Sequence, residues 1–210
     1  MILENINFKY NDKIIYENFN IVFEDNKINC IIGKSGCGKT TLLNYISNIL
    51  ISNKANLSYV FQSDNLIPWK SVYSNLKIVA KKYFTKEFLN DEIDRVLKLV
   101  GLFDFKSYYP RELSGGMRQR VNFARALIGS PDIILMDEPF KSLDIKCKNE
   151  MMNIIKKLSS DKCITIILVT HDKDEIINLA HCVYLLGESP VRILEEFKEK
   201  DIQKNIQKII

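Results

Sequence analysis

The 210-residue sequence is poor in several features that would define other classes of protein. Its strongly apolar runs, such as residues 164–169, fall far short of the ~20 residues that a membrane-spanning helix needs. Residues 1–5 show no basic segment followed by an apolar stretch, so no signal peptide is expected. The five cysteines (Cys30, Cys37, Cys147, Cys163, Cys182) are odd in number and never spaced C-x-x-C, which fits reduced thiols in a cytosolic protein. The net charge of +4 is mild, and lysine is scattered rather than massed in a stripe, which speaks against a nucleic-acid partner. That charge fits ordinary solubility as well as an acidic ligand or a membrane-adjacent surface. No internal repeat or low-complexity linker breaks the chain. The 46% hydrophobic content suffices for the core of one domain, residues 1–210.

Glycine is also scarce, and its placement carries the argument. Of eight glycines, five lie in two clusters: Gly33-Lys34-Ser35-Gly36-Cys37-Gly38-Lys39-Thr40, followed by Thr41, and Leu113-Ser114-Gly115-Gly116-Met117-Arg118-Gln119. Each is predicted to open a helix, over residues 39–50 and 117–127. A helix start offers unpaired N–H groups and a partial positive charge, so both clusters are anion cradles. In the first, the glycines let backbone N–H groups approach phosphate oxygens. Lys39 reaches the β- and γ-phosphates, and the Thr40 hydroxyl meets Mg²⁺. The second also reads as a simple N-cap and turn. Yet two consecutive glycines cost conformational entropy without packing anything, which points to the close approach of another molecule. One nucleotide has one triphosphate, so two copies sharing two ATP molecules is the economical arrangement: a nucleotide-driven homodimer in which Ser114, Gly115 and Gly116 face the γ-phosphate held by the other copy.

The surrounding pattern is α/β. Residues 2–8 and 14–23 read as strands joined by a turn at Asn11-Asp12, and 27–32 and 57–61 as short strands. Residues 133–136 and 164–169 are continuous apolar runs, as in strands buried on both faces, and 144–158 reads as a crossover helix between them. Residues 71–101 hold two helical patterns, the second stopped by Gly101. The division expected is a core over 1–70 and 128–194, a helical lobe over about 71–127, and a helical tail over 195–210. The apolar strand Ile133-Ile134-Leu135-Met136 ends in Asp137-Glu138-Pro139. This places Asp137 where it holds Mg²⁺ through water and Glu138 one residue nearer the γ-phosphate, where a carboxylate can polarise an attacking water.

With these motifs in this order, the chain resembles the ATP-binding subunit of an ABC transporter from Tyr10 to about Leu194. The resemblance implies a P-loop NTPase core with a mostly parallel sheet, a small antiparallel part and a helical lobe. It implies an ATPase whose cofactors are ATP and Mg²⁺. It assigns Thr41 to the α-phosphate, Gln62 to Mg²⁺ and the water, His171 to the γ-phosphate, and Tyr10 to stacking on adenine, with Tyr16 as the rival aromatic. Ser142-Leu143-Asp144 matches the loop through which the two copies communicate; Lys141 before it is unusual, as is Met117 in place of glutamine. The 22 positions from Thr40 to Gln62 are fewer than the family's usual segment, so a trimmed antiparallel part is expected. Asp64-Asn65-Leu66-Ile67-Pro68-Trp69 reads as a rigid apolar knob, either docking a membrane subunit or packing Trp69 into the lobe. Its Ile67-Pro68-Trp69, together with the Leu-Ser-Gly-Gly-Met-Arg-Gln-Arg run from Leu113 and with Ser189-Pro190-Val191-Arg192-Ile193, resembles the nitrate/sulfonate/taurine importer branch. That implies permease and solute-binding partners, a place on the cytoplasmic face of the membrane, and an anionic, sulfonate-like or vitamin-precursor solute. A soluble ATPase of the same type and a non-hydrolysing nucleotide switch stand as rivals.

Overall fold

A computed structural model describes residues 1–209. The chain begins with an antiparallel ribbon of two strands, β1 (Ile2–Tyr10) and β2 (Lys13–Val22). Its register shifts at irregularities next to Asn5 and Asn18, both with positive φ, a conformation that asparagine tolerates better than most residues. The main sheet has six strands in the order β4-β5-β6-β3-β7-β8: β3 (Ile28–Gly33), β4 (Leu57–Val60), β5 (Ile133–Asp137), β6 (Thr165–Val169), β7 (Cys182–Leu186) and β8 (Ile193–Lys198). All neighbours pair in parallel except β7 and β8.

The central strands read as continuous apolar runs because both faces are covered. Alternate residues go to opposite layers: Ile28, Cys30, Ile32, Ile134, Met136, Ile166 and Leu168 to one, Ile31, Leu135, Ile167 and Val169 to the other. The second layer packs on the ribbon and on α1 (Lys39–Ser52), which buries Leu42, Leu43, Ile46 and Leu50 at one- to four-residue spacing. The first layer is shared with the helical lobe: α2 (Val72–Ala80), α3 (Lys86–Leu99) and α4 (Gly115–Leu127). Further on come α5 (Ile145–Lys162), α6 (Lys173–Leu179) and α7 (Glu199–Ile209). Among the described residues no helix is long and apolar enough to cross a membrane.

Two boundaries differ from the sequence reading. The α4 helix starts at Gly115 rather than at Met117, so both glycines lie in its first turn. The predicted tail begins inside the sheet, since residues 195–198 belong to β8, and only then turns helical. The short segment after Thr40 takes the chain from α1 directly into β4 through residues 53–56, and the antiparallel sheet has two strands.

Candidate functional site

The phosphate loop joins the end of β3 to α1, at the carboxyl edge of the parallel strands where ligands of α/β proteins collect. Two glycines are dictated by contact. A Cβ at Gly38 (φ +118°) would stand 2.9 Å from Ile15 Cγ2 and 3.1 Å from the Tyr16 hydroxyl; one at Gly33 would meet the Leu186 carbonyl at 2.7 Å. Tyr16 is 1% exposed and donates its hydroxyl to the Gly38 carbonyl at 2.9 Å. This aromatic therefore braces the loop from behind, and burial pushes its pKa up. Tyr10, at the exposed end of β1, is the freer ring, 70% exposed. Lys39 Nζ donates to the carbonyls of Gly33 and Lys34 at 2.7 and 2.8 Å, arching over the loop.

A cavity of about 940 Å³ opens over this loop. Its wall includes Gly33, Lys34, Ser35, Gly36, Gly38, Lys39, Thr40, Thr41, Gln62, Asp137, Glu138 and His171, which the sequence had put forward. Cys37 belongs to the loop, but its side chain is buried among apolar residues rather than in the wall. Tyr10, Ser114, Gly115, Gly116 and Asp144 do not line the cavity either.

The polar centre lies where β5, β4 and β6 end. Thr40 Oγ1 donates to Asp137 Oδ2 at 2.8 Å, and burial pushes the Asp137 pKa up while the threonine and Lys39 oppose it. Glu138 has a positive φ (43°), held by its N–H bond to the Val169 carbonyl at 2.9 Å. Its carboxylate gathers Gln62 Nε2 at 3.2 Å, His171 Nδ1 at 3.1 Å and Lys141 Nζ at 3.0 Å. Partial burial pushes its pKa up, but Lys141 and His171 together outweigh this and hold it below the ordinary glutamate value. His171 is flanked by a partly buried network: Lys148 on α5 pairs with Asp172 at 2.6 Å and Glu175 at 2.9 Å, and Thr170 donates to Glu175. Thr40, Asp137 and Gln62 are oxygen-bearing groups of the hard type that Mg²⁺ prefers. Among the described residues no group of three or more His, Cys, Asp or Glu is placed to hold a metal ion.

Ser114 caps α4, its Oγ accepting from Met117 N at 3.2 Å; the hydroxyl proton stays available for an outside acceptor. The same helix grips the loops beyond β4 and β5. Arg118 pairs with Asp64 at 2.8 Å, Asn122 donates to the Phe61 carbonyl at 3.2 Å, Arg125 to Asn65 at 2.9 Å, and Gln119 to Pro139 at 2.8 Å. Sequence reasoning passed over Arg118, Asn122 and Arg125, although their four- and three-residue spacing marks one helix face. Asp144 caps α5, accepting from Cys147 N at 3.0 Å. Trp69 is 76% exposed rather than packed into the lobe, while the buried Asn75 side chain holds its loop at Ile67, Lys70 and Ser71. Sequence reasoning also missed the far wall of the cavity, Leu185 to Glu188 and Leu194, where Glu188 pairs with Lys34 at 2.7 Å.

A doubly covered parallel sheet, a phosphate loop running into a helix, and a strand-end Asp-Glu pair define an ATPase of the P-loop class. Residues 16–141 match the ABC transporter family, to which the chain belongs. It is 36% identical to a taurine import ATP-binding protein of Shigella boydii (89% of this chain, 79% of the relative). It is likewise 36% identical to an aliphatic sulfonates import ATP-binding protein of Yersinia pestis (90% and 73%). Identity to an Fe(3+) ions import ATP-binding protein of Fusobacterium nucleatum is 34% over 94% of this chain, which spans 58% of that relative. The dimeric post-hydrolysis cassette MJ0796, bound to ADP and Pi, superposes with a TM-score of 0.83 at 28% identity, over 95% of this chain and 99% of that one. The chain is thus an ATP-binding cassette and an ATPase, akin to the ATP-binding subunits of importers.

Proposed function

We propose that this cassette binds Mg-ATP in the cavity over its phosphate loop and, as a homodimer, hydrolyses it to drive uptake of a small solute through a membrane permease. The observation that carries the reading is the convergence of Gln62 and His171 on Glu138, 3.1–3.2 Å away, beside the Thr40–Asp137 pair. In this reading Gly33, Lys34, Ser35, Gly36, Cys37 and Gly38 present backbone N–H groups to the phosphates. Lys39 neutralises the β- and γ-oxygens, Thr41 meets the α-phosphate, and Tyr10 stacks on adenine. Thr40, Asp137 and Gln62 would hold Mg²⁺, which when bound neutralises charge on the β- and γ-phosphates. Glu138 takes the proton of the attacking water, and His171 donates toward charge growing on the γ-phosphate.

Ser114, Gly115 and Gly116 close on the γ-phosphate of the other copy, and Asp144 stands at the loop between copies. None of these residues lines the cavity of its own protomer, which supports a site completed by a second chain, and the dimeric MJ0796 cassette supports the stoichiometry. The exposed, pinned Trp69 loop supports docking of a permease helix, which puts the cassette at the cytoplasmic face of the membrane as a peripheral subunit. Likeness to the taurine and sulfonate relatives supports a sulfonate-like, anionic solute ahead of a vitamin precursor, and a solute-binding protein would complete the importer.

The test is Glu138→Gln in the cassette–permease complex. The variant is expected to bind ATP as before and to lose turnover by about 10²–10⁴. Wild-type turnover in this variant would remove Glu138 from the reaction.

A further inference from the structure

Lys141 is the donor to Glu138 that the proposed reaction leaves without a task. Gln62 is committed to the cation and His171 to the terminal phosphate, so both have other partners once nucleotide is bound. Lys141 has none among its described hydrogen bonds: its ammonium lies 3.0 Å from Glu138 Oε2, in the wall of the same cavity. It sits three residues after Glu138 in a tight loop, with its own N–H directed to the Glu138 carbonyl at 3.4 Å. The next two residues carry the connection onward, because a Cβ at Gly116 would lie 3.6 Å from Leu143 Cδ2 and 3.8 Å from the Ser142 carbonyl. One short loop therefore touches the carboxylate at one end and the second cradle at the other.

We propose that Lys141 is a positioning residue for hydrolysis, holding Oε2 of Glu138 so that the carboxylate stays aimed at the water when Gln62 and His171 turn to their own ligands. The inference rests on the reading of Glu138 as the general base. The Glu138 backbone is fixed by its bond to Val169, so the freedom that remains is in its side chain. A carboxylate has about four lone-pair positions. Lys141 occupies one, which leaves room for water while removing the rotamers that point away. The ion pair is half open to solvent, with Lys141 56% exposed, so it adds little to stability. Its effect belongs to orientation, and orientation appears in turnover rather than in affinity.

The experiment compares Lys141→Ala, Lys141→Arg, Glu138→Gln and the Lys141→Ala/Glu138→Gln pair in the intact cassette–permease complex. Readouts are kcat, the KM for ATP, affinity for a non-hydrolysable ATP analogue, and Tm. Lys141→Ala is expected to lower kcat about tenfold, with KM, analogue affinity and Tm close to wild type. Lys141→Arg recovers most of the rate, and in the Glu138→Gln background the alanine has no further effect, because the two groups act as one unit. A kcat at or above wild type in Lys141→Ala overturns the proposal. So does a loss confined to ATP affinity, which makes the lysine a phosphate ligand, or a loss with lowered Tm that arginine does not repair. Full turnover in Glu138→Gln overturns the underlying reading instead.

Discussion

The two glycine cradles are built from the same element, a helix N-terminus, and end in opposite circumstances. The first is enclosed. Its lysine arches over its own carbonyls, its threonine bonds Asp137, and a buried tyrosine closes it from behind. The second is bare. Within 4 Å, a Cβ at Gly115 would meet only the far end of Arg118, and one at Gly116 only Leu143 and the Ser142 carbonyl at ordinary contact distances. Local sequence specifies both cradles, but only the first is furnished by its own chain. In the function proposed above the second is half of a site, and the pair is then a statement about two copies rather than one.

The sharpest way to break that comparison is complementation. Lys39→Ala, which strips the first cradle, and Gly115→Glu, which sets a carboxylate where the second should meet phosphate, are each expected to lower ATPase activity about 100-fold or more. Mixing the two inactive proteins before assembly with the permease creates heterodimers in which one composite site keeps an intact half from each chain. If each site turns over by itself, activity returns to about a quarter of wild type. A double variant carrying both changes on one chain, mixed with wild type, contributes no active site to its heterodimers. Absence of recovery in the first mixture, with the double-variant heterodimers still active, would show that each chain completes its own site.

A smaller effect separates the cradles by stability. Gly38→Ala forces a Cβ to 2.9 Å from Ile15 at a left-handed φ and is expected to cost about 1–3 kcal/mol, read as a lower Tm, together with loss of ATP binding. Gly116→Ala meets no closer contact than 3.6 Å and sits in the first turn of α4, where alanine gains up to about 1 kcal/mol of helix propensity. Its Tm should match or exceed wild type while activity falls about tenfold or more. If Gly116→Ala is as active as wild type, the second cradle does not approach phosphate closely.

The same contrast explains what was legible beforehand. The first cradle announced itself because its groups are consecutive, and the strands around it are runs of Ile, Val and Leu buried on both faces. Asp137 and Glu138 were readable as the end of such a run. What escaped lies where the period fails. The β8 strand, Ile-Leu-Glu-Glu-Phe-Lys, buries mainly Ile193 and Phe197, four apart, so it imitates a helix face, and as an edge strand it carries charge that central strands exclude. The wall from Leu185 to Glu188 has no motif, since it meets the loop through the β3–β7 register, Gly33 opposite Leu186, and through the Lys34–Glu188 pair, both distant in sequence. Gly115 and Gly116 fell outside the predicted helix because glycine is a poor helix former, although the cap at Ser114 makes them its first turn. Tyr10 was set ahead of its rival Tyr16 by resemblance alone; the structure adds that Tyr10 is exposed and Tyr16 buried.

The smallest expected effect concerns how the first cradle is anchored from behind. At the start of β3 the Ile28 N–H donates to His181 Nδ1 at 3.2 Å, and the His181 N–H returns a bond to the Ile28 carbonyl at 2.9 Å. The acceptor role requires a neutral ring. Burial lowers the His181 pKa, Lys27 and Lys156 reinforce this, and Glu199 and Glu24 oppose it. A histidine whose folded pKa lies below the unfolded value of 6.5 favours the native state fully above that pH. As pH falls below 6.5 the unfolded chain takes up the proton first, so stability declines until the folded ring titrates as well, and then levels off. Between pH 7.5 and 5.5 the wild-type Tm should fall by about 2 °C more than that of His181→Gln, whose amide has no such titration. Carboxylates common to both proteins cancel in that difference. Parallel Tm curves would show that the ring is protonated at no cost to β3, and that the first cradle owes its rigidity to Tyr16 and the sheet alone.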